Sequence, residues 1–334
     1  MKKVLISGAS GFIGGFLVEE GLRLGYEIYA AVRKTSSRKY LSDKRIQLLE
    51  LNFDNAQELQ LQLEAHIKSK GKFDYIIHNA GVTKVAKKGD FWRVNFLNTK
   101  HFVDILIDKD WVPQKFIFMS SLAAWGSGEK GSTNPICLHH SPRPLNFYGK
   151  SKFAAEEYIS SRKNFPYLFI RPTGVYGPRE KDYYVFFKMI NRGIEAYIGY
   201  GKQYLSFIYV ADLVNCIYLA LASEHSRKGW FVSDGNYYES RTFSKITKNA
   251  LQKKTLQFTL PKSVVKAIAF SSEKIVGMFG KYPTLNMDKY YLLAADNWIC
   301  DTEPLKNDLG FVAQYDLERG VKETLNWYKD EGWL

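Results

Sequence analysis

The chain has 334 residues, 46% hydrophobic and 15% aromatic, enough for one large α/β unit plus a smaller lobe and too apolar for a disordered protein. Its formal net charge of +13 suits an anionic cofactor or substrate as well as nucleic acid or anionic lipid. The lysines and arginines are scattered except for a denser run from Arg33 to Arg45, and no nucleic-acid motif accompanies them, so a nucleic-acid partner is not expected.

The start, Met1-Lys2-Lys3 followed by Val4-Leu5-Ile6, superficially resembles a secretory leader, but glycines interrupt the apolar run and Glu19-Glu20 close it. Lys3–Ser7 reads as a strand, Phe12–Leu24 as a helix and Glu27–Val32 as a second strand, a βαβ opening with a glycine turn after its first strand. The alternation continues with strand Ile46–Leu51, helix Ala56–Ser69, strand Phe73–His78, helix Asp90–Ile107, strand Lys115–Met119, helix Phe147–Arg162 and strand Tyr167–Arg171. Such alternation predicts an α/β fold, a doubly wound parallel sheet of the Rossmann kind, covered by helices on both faces.

After Arg171 the pattern changes. Pro172–Pro178 is rich in turn residues, Phe207–Val210 and Asp212–Ala222 read as one more strand and helix, and short helices dominate from Thr242 to an amphipathic helix near Leu317–Lys329. The expected organisation is a dinucleotide-binding domain at 1–172, joined by about 206–234, with 173–205 and 235–334 forming a smaller, mostly C-terminal substrate-binding lobe. Pro261–Lys281 is amphipathic, with Val264, Val265, Ile268, Ile275, Val276 and Phe279 among lysines. A membrane-surface helix for a lipid-like substrate is one reading, and core packing in the lobe is favoured. No stretch of about 20 uninterrupted apolar residues exists, so no stable membrane insertion is expected. Cys137, Cys216 and Cys300 are odd in number and far apart, which predicts buried thiols in a reduced, cytoplasmic setting.

Three features carry chemistry. In Gly8-Ala9-Ser10-Gly11-Phe12-Ile13-Gly14, Gly8 and Gly11 let the backbone turn tightly beside a pyrophosphate, and Gly14 lets the helix pack close to the strand. The second strand ends in Val32-Arg33-Lys34 instead of an acidic residue, and an arginine fork suits a 2′-phosphate, which favours NADP over NAD. Tyr148 and Lys152 lie four apart, hence on one helical face, where the lysine cation is expected to lower the phenol towards working pH. Ser120-Ser121 follow the strand ending at Met119, at the carboxyl edge where open sheets bind ligands, and a hydroxyl there can polarise a carbonyl. Together these predict hydride transfer with a nicotinamide. His139-His140 lie in the loop before Tyr148 and are too few for a metal site, and the mechanism needs no metal.

GASGFIG at 8–14, IIHNAG at 76–81, MSSLAAWG at 119–126, YGKSK at 148–152 and RPTGVYGPR at 171–179, extended by FIYVADL at 207–213 and DLGF at 308–311, resemble the extended short-chain dehydrogenases/reductases, the NAD-dependent epimerase/dehydratase family. The C-terminal portion looks most like members akin to dihydroflavonol reductase and 3β-hydroxysteroid dehydrogenase. The resemblance implies catalysis by Ser121, Tyr148 and Lys152. It implies a cofactor lined by the glycine turn with Ser10, Phe12 and Ile13, by Arg33, by Asn79, Ala80 and Gly81, by Tyr148 and Lys152, and by Pro172 and Thr173 in the segment Arg171–Gly174. It further implies a homodimer through the helices around 90–107 and 147–162.

Departures bear on the substrate. Nucleotide-sugar epimerases resembling this chain often carry Asn where Gly174 stands and Arg where Leu205 stands, the latter binding the diphosphate. A sugar nucleotide would need another base, such as Arg179, Lys181 or Lys202. The expected activity is therefore interconversion of a secondary alcohol and a ketone on an apolar or polycyclic small molecule, for which Tyr183, Tyr184, Phe186 and Phe187 could line a pocket, although core packing is favoured for each. A nucleotide-sugar epimerase, or less readily a dehydratase, is the alternative, and a non-catalytic NADP-sensing regulator is a third.

Overall fold

The computed structural model describes residues 1–278, 283 and 285–334. The chain opens with β1 (Lys3–Ser7), α1 (Phe12–Arg23), β2 (Glu27–Val32), β3 (Gln47–Glu50), α2 (Ala56–Lys70) and β4 (Tyr75–His78). There follow α3 (Gly89–Phe91), a π-helical segment at Trp92–Leu97, α4 (Asn98–Asp108), β5 (Lys115–Met119), α5 (Phe147–Ser161) and β6 (Tyr167–Pro172). The elements expected up to Arg171 are present with ends shifted by one or two residues, except that the helix expected at Asp90–Ile107 is interrupted by the π segment.

All seven strands of the main sheet are parallel, in the order β11-β6-β5-β4-β1-β2-β3, where β11 is Lys228–Val232. The order reverses beside β1, so the carboxyl ends of β1 and β4 open a crevice at the switch point. Two cores sandwich the sheet. Leu17, Val18 and Leu22 of α1 share one with Val214, Ile217 and Leu221 of a helix at Val210–Ala222, and α2, α4 and α5 supply the other through Leu59, Leu63, Phe102, Leu106 and Ile159. Gly21 permits the contact on the first face, because a Cβ there would lie 2.3 Å from the Tyr218 hydroxyl, which donates to the Leu17 carbonyl at 2.6 Å.

Beyond β6 the chain forms β7 (Gly174–Tyr176), α6 (Asp182–Asn191), β8 (Ile194–Ile198), β9 (Tyr204–Leu205), β10 (Phe207–Tyr209) and the helix just described, α7 (Val210–Ala222), which leads back to β11. Then come β12 (Tyr238–Glu239), α8 (Ser240–Leu251), β13 (Leu256–Leu260), α9 (Lys262–Met278), α10 (Met287–Ala294), β14 (Asn297–Trp298), α11 (Glu303–Leu309) and α12 (Leu317–Asp330). The lobe is thus richer in strands than its sequence suggests: β10 pairs with β7, β13 with β8, and β9 sits between β12 and β14. Its core joins Phe187 and Ile190 of α6 to Phe207, Phe243, Val321, Leu325 and Tyr328. Phe187 is fully buried and partly buried Phe186 stacks on Phe243 at 4.7 Å, so both rings pack in the lobe's core.

Amphipathic α9 departs from the favoured reading. Val265 and Ala269 are buried, but Val264, Ile268 and Ile275 face solvent, because the helix turns its Val265–Ala269 face towards Tyr290. Phe279 and Lys281 lie outside the described residues. Cys137, Cys216 and Cys300 are unpaired thiols, the last two buried.

Candidate active site

The glycine turn is a cradle that side chains would fill. Gly8 has φ +66°, and a Cβ there would lie 2.9 Å from the Ala80 nitrogen, while one at Gly14 would come within 2.1 Å of the Gly8 carbonyl. Gly11 is the N-cap of α1 and offers no side-chain acceptor, and the first turn holds no acid, so its N–H groups remain free for an anion. Ser10 and Gly11 form the turn, and Phe12 and Ile13 open the helix beside it. These features fit a dinucleotide's pyrophosphate.

Asn79, Ala80 and Gly81 close the crevice from the end of β4 and are held by a buried relay. Thr99 donates to the Asn95 carbonyl (2.9 Å), leaving its oxygen to accept from Nε2 of His78 at 3.1 Å. Nδ1 of His78 then accepts from Ser7 at 2.8 Å, and the Ser7 oxygen accepts the Ala80 N–H at 3.0 Å. These directions assign a neutral Nε2–H imidazole. Burial, with the Lys152 cation nearby, pushes His78 down to about 3 and keeps it neutral. The sequence marks His78 only as a strand end within IIHNAG; its role depends on Ser7 and Thr99, which share its neighbourhood only after folding.

Ser121, Tyr148 and Lys152 converge at the carboxyl end of β5. Ser121 caps a short 3₁₀ turn at Leu122–Ala124 by accepting the Ala123 N–H at 3.2 Å. The first turn of α5 packs on that turn so closely that a Cβ at Gly149 would lie 2.2 Å from the Ala123 carbonyl, which explains the glycine after Tyr148. The Ser121 hydroxyl thereby reaches the Tyr148 phenol. Lys152 is buried one turn on, donating from Nζ to the Met119 carbonyl at 2.8 Å, and a Cβ at Gly81 would come 2.9 Å from that nitrogen.

The electrostatics differ from the sequence expectation. Burial raises the Tyr148 phenol above its ordinary 10, and Ser121 offsets this only in part. Lys152 is itself pushed down to about 8 by burial, against the pull of Glu156. The ammonium donates to the Met119 carbonyl, and burial, not the lysine, dominates the phenol.

Two further groups shape this corner. Asn95, fully buried in the π segment, accepts the Val82 N–H (2.8 Å) and donates to the Val82 carbonyl and to Ser151 on α5, both at 3.0 Å. A π turn re-aims side chains within a helix and often marks a functional position, yet four-residue periodicity cannot reveal it. Asp288, from the lobe, accepts the Phe147 N–H (2.7 Å) and the Asn146 amide (3.0 Å) at the N-terminus of α5. It clamps α5 from a position 141 residues away in the chain.

The other candidates have mixed placements. Arg33 is exposed at the end of β2, its N–H donating to Ser36 at 2.9 Å. Pro172 and Thr173 end β6, with Thr173 N–H donating to the Val232 carbonyl at 3.0 Å. The Arg171 side chain turns beneath α5 into a buried pair with Glu156 (2.7 Å) and stacks on Trp125. Arg179 lies on the flank of α1, its guanidinium between Phe16 and Tyr40 and paired through one nitrogen with Glu19 at 2.8 Å, while Nε and Nη1 are buried without a partner among the described residues. The loop at 137–140 brings Cys137 to His139 and His140, with ligand atoms within 4.8 Å of one another, but burial pushes the thiol up and both histidines are exposed.

The profile of the NAD dependent epimerase/dehydratase family matches residues 4–231. The chain is 23% identical to a sterol-4-alpha-carboxylate 3-dehydrogenase (decarboxylating) of Dictyostelium discoideum, covering 97% of this chain and all of that protein. It is 24% identical to a putative UDP-glucose 4-epimerase of Methanocaldococcus jannaschii, over 98% of each. Its fold resembles that of the UDP-glucose 4-epimerase of Thermotoga maritima in complex with UDP-glucose, with a TM-score of 0.79, 20% identity and 98% and 99% of the two chains covered. The chain is therefore a pyridine-nucleotide-dependent enzyme of the extended short-chain dehydrogenase/reductase type and belongs to the NAD dependent epimerase/dehydratase family.

Proposed function

We propose that this enzyme interconverts a secondary alcohol and a ketone on an apolar or polycyclic substrate, with NADP as the preferred dinucleotide. The observation that carries the substrate class is the space at Gly174, where a Cβ would lie 2.3 Å from the Tyr183 hydroxyl. The phenol of Tyr183 fills the volume an asparagine would need to contact a sugar. Leu205, half-buried beside Ser206, supplies no cation for the diphosphate of a nucleotide sugar, and Arg179 gives one of its nitrogens to Glu19. The full-length likeness to a sterol dehydrogenase supports the same reading. Exposed Arg33, with no acid at the end of β2, supports NADP.

In the reductive direction Tyr148, kept protonated by burial, gives its proton to the carbonyl oxygen while Ser121 donates a hydrogen bond to the same atom. Lys152 sits between Met119 and Gly81, where its cation can hold ribose hydroxyls. The bound dinucleotide supplies or accepts the hydride. Half-exposed Trp92, at the head of the π segment, supports a homodimer through the 90–107 and 147–162 helices, and three free thiols fit a reducing cytoplasm.

Thermal shift with NADPH, NADH, UDP-sugars and steroid-like ketones, followed by turnover, tests the reading. Stoichiometric cofactor consumption on an apolar ketone is expected, and Tyr148→Phe should abolish turnover while keeping the NADPH shift. A cofactor regenerated during turnover of a UDP-sugar would refute the substrate class, and wild-type turnover by Tyr148→Phe would refute the catalytic assignment.

A further inference from the structure

The lobe carries an apolar surface that its own core does not use. In the β8–β13 ribbon, Gln257 and Thr259 share a side with buried Glu195, which pairs with Lys248 at 2.7 Å. Leu256, Phe258 and Leu260 alternate to the other side and are exposed, Leu256 by 66%, as is the register partner Ile194. Pro261 leads directly into α9, which packs Val265 and Ala269 against Tyr290 and against Ile198, a residue on that same side of the ribbon. The opposite stripe of α9 presents Val264, Ile268 and Ile275, spaced by four and seven residues on one face, with Ile275 exposed by 59% and Phe270 exposed alongside. Strand face and helix stripe therefore adjoin, and a fold that needed these side chains for stability would have turned them inward.

The surplus charge around this surface is positive. Residues 240–276 contain eight lysines and arginines and a single acid, Glu273, which Lys88 neutralises at 2.7 Å, while Lys248 and Lys262 are taken up by Glu195 and Asp296. Lys253 and Lys254 precede β13, and Lys266 and Lys274 flank the α9 stripe, all four exposed. A second copy seated here through a two-fold axis would set this positive surplus against itself. Aliphatic and phenylalanine side chains rimmed by lysines match the boundary between acyl chains and anionic headgroups. Among the described residues no helix is long and apolar enough to cross a membrane, so the contact is peripheral.

We propose that the β13–α9 face docks the protein on anionic bilayers, with Phe258, Ile268 and Ile275 entering the headgroup–acyl boundary and the lysines meeting lipid phosphates. Docking would bring the substrate lobe to the surface where an apolar substrate partitions.

Flotation of the full-length protein with vesicles of phosphatidylcholine alone, or mixed with phosphatidylglycerol, tests this. Binding to the mixed vesicles only, released by salt, is expected. Ile268→Glu combined with Phe258→Glu should abolish it, and serine at 253, 254, 266 and 274 should weaken it by about fivefold per lysine. Retention of the NADPH-induced thermal shift in these variants shows that the fold is intact. Failure to float with either composition, equal flotation with both, or unchanged flotation of the glutamate variant would overturn the proposal. A dimer that Ile268→Glu converts to monomer would assign the face to a second copy instead.

Discussion

Lys152→Met should remove turnover without weakening the protein. Lys152 is only 3% exposed, and its fall from the ordinary 10.5 to about 8 means that folding works against its charge. At 1.36 kcal/mol per pH unit this amounts to about 3 kcal/mol of destabilisation wherever both states are protonated. Between about pH 8 and 10.5 the unfolded chain keeps the proton that the folded chain has lost, so stability must rise with pH across that window. Below it and above it this contribution is flat. Methionine abolishes the titration and gives up the hydrogen bond to Met119, so near neutral pH the variant should equal or exceed the wild type in stability. Subtracting the variant's unfolding free energy from that of the wild type, by denaturant titration from about pH 7 to about pH 11, isolates the lysine from every other titrating group. A difference that climbs by about 3 kcal/mol fits the buried cation. A flat or falling difference would refute it.

Asp288→Ala should loosen the N-terminus of α5 by about 1–2 kcal/mol, the scale of a lost helix cap, and lower kcat with little change in NADPH affinity. Partial rescue of kcat by Asp288→Asn, which keeps one acceptor, checks that the carboxylate positions Tyr148; a variant that loses stability but keeps kcat would limit Asp288 to a structural part. Arg33→Ser should raise the KM for NADPH about tenfold or more and leave that for NADH unchanged, as expected for a guanidinium serving only a 2′-phosphate. An unchanged ratio of the two would dissociate Arg33 from cofactor choice.

The main sheet was readable because strands covered on both faces become short continuous apolar runs, such as Glu27–Val32 and Lys115–Met119, separated by amphipathic helices. Its seventh strand, Lys228–Val232, was missed because it pairs with β6, about 60 residues earlier, and five residues containing lysine and glycine announce little. Tyr148 and Lys152 were legible as a pair through their four-residue spacing, and Ser121 through its place at the end of a strand and within a family motif. Their protonation was not, because it follows from burial between α5, β5 and the 3₁₀ turn. Asn95 and Asp288 escaped for a related reason: one acts through a π turn, the other through a hydrogen bond across 141 residues. On α9 the periodicity announced two faces, and both are apolar; it could not say that alanine, not isoleucine, faces inward.

On the proposed assignment, the lobe that would select the substrate also holds the proton donor in place. Asp288 fixes the first turn of α5, Lys84 of the crevice rim pairs with Asp182 of α6, and Lys88 pairs with Glu273 of α9. α9 and α10 are thus tied to the first turn of α5, which carries Tyr148, by one hydrogen-bonded cap. Glu273 also accepts the Met287 N–H at 3.0 Å, one residue before Asp288, so the helix bearing the apolar stripe and the helix that clamps the catalytic turn share a carboxylate. On the proposed assignment, a change made in the lobe to alter its substrate also bears on the first turn of α5, through the hydrogen bond from the Phe147 N–H to Asp288.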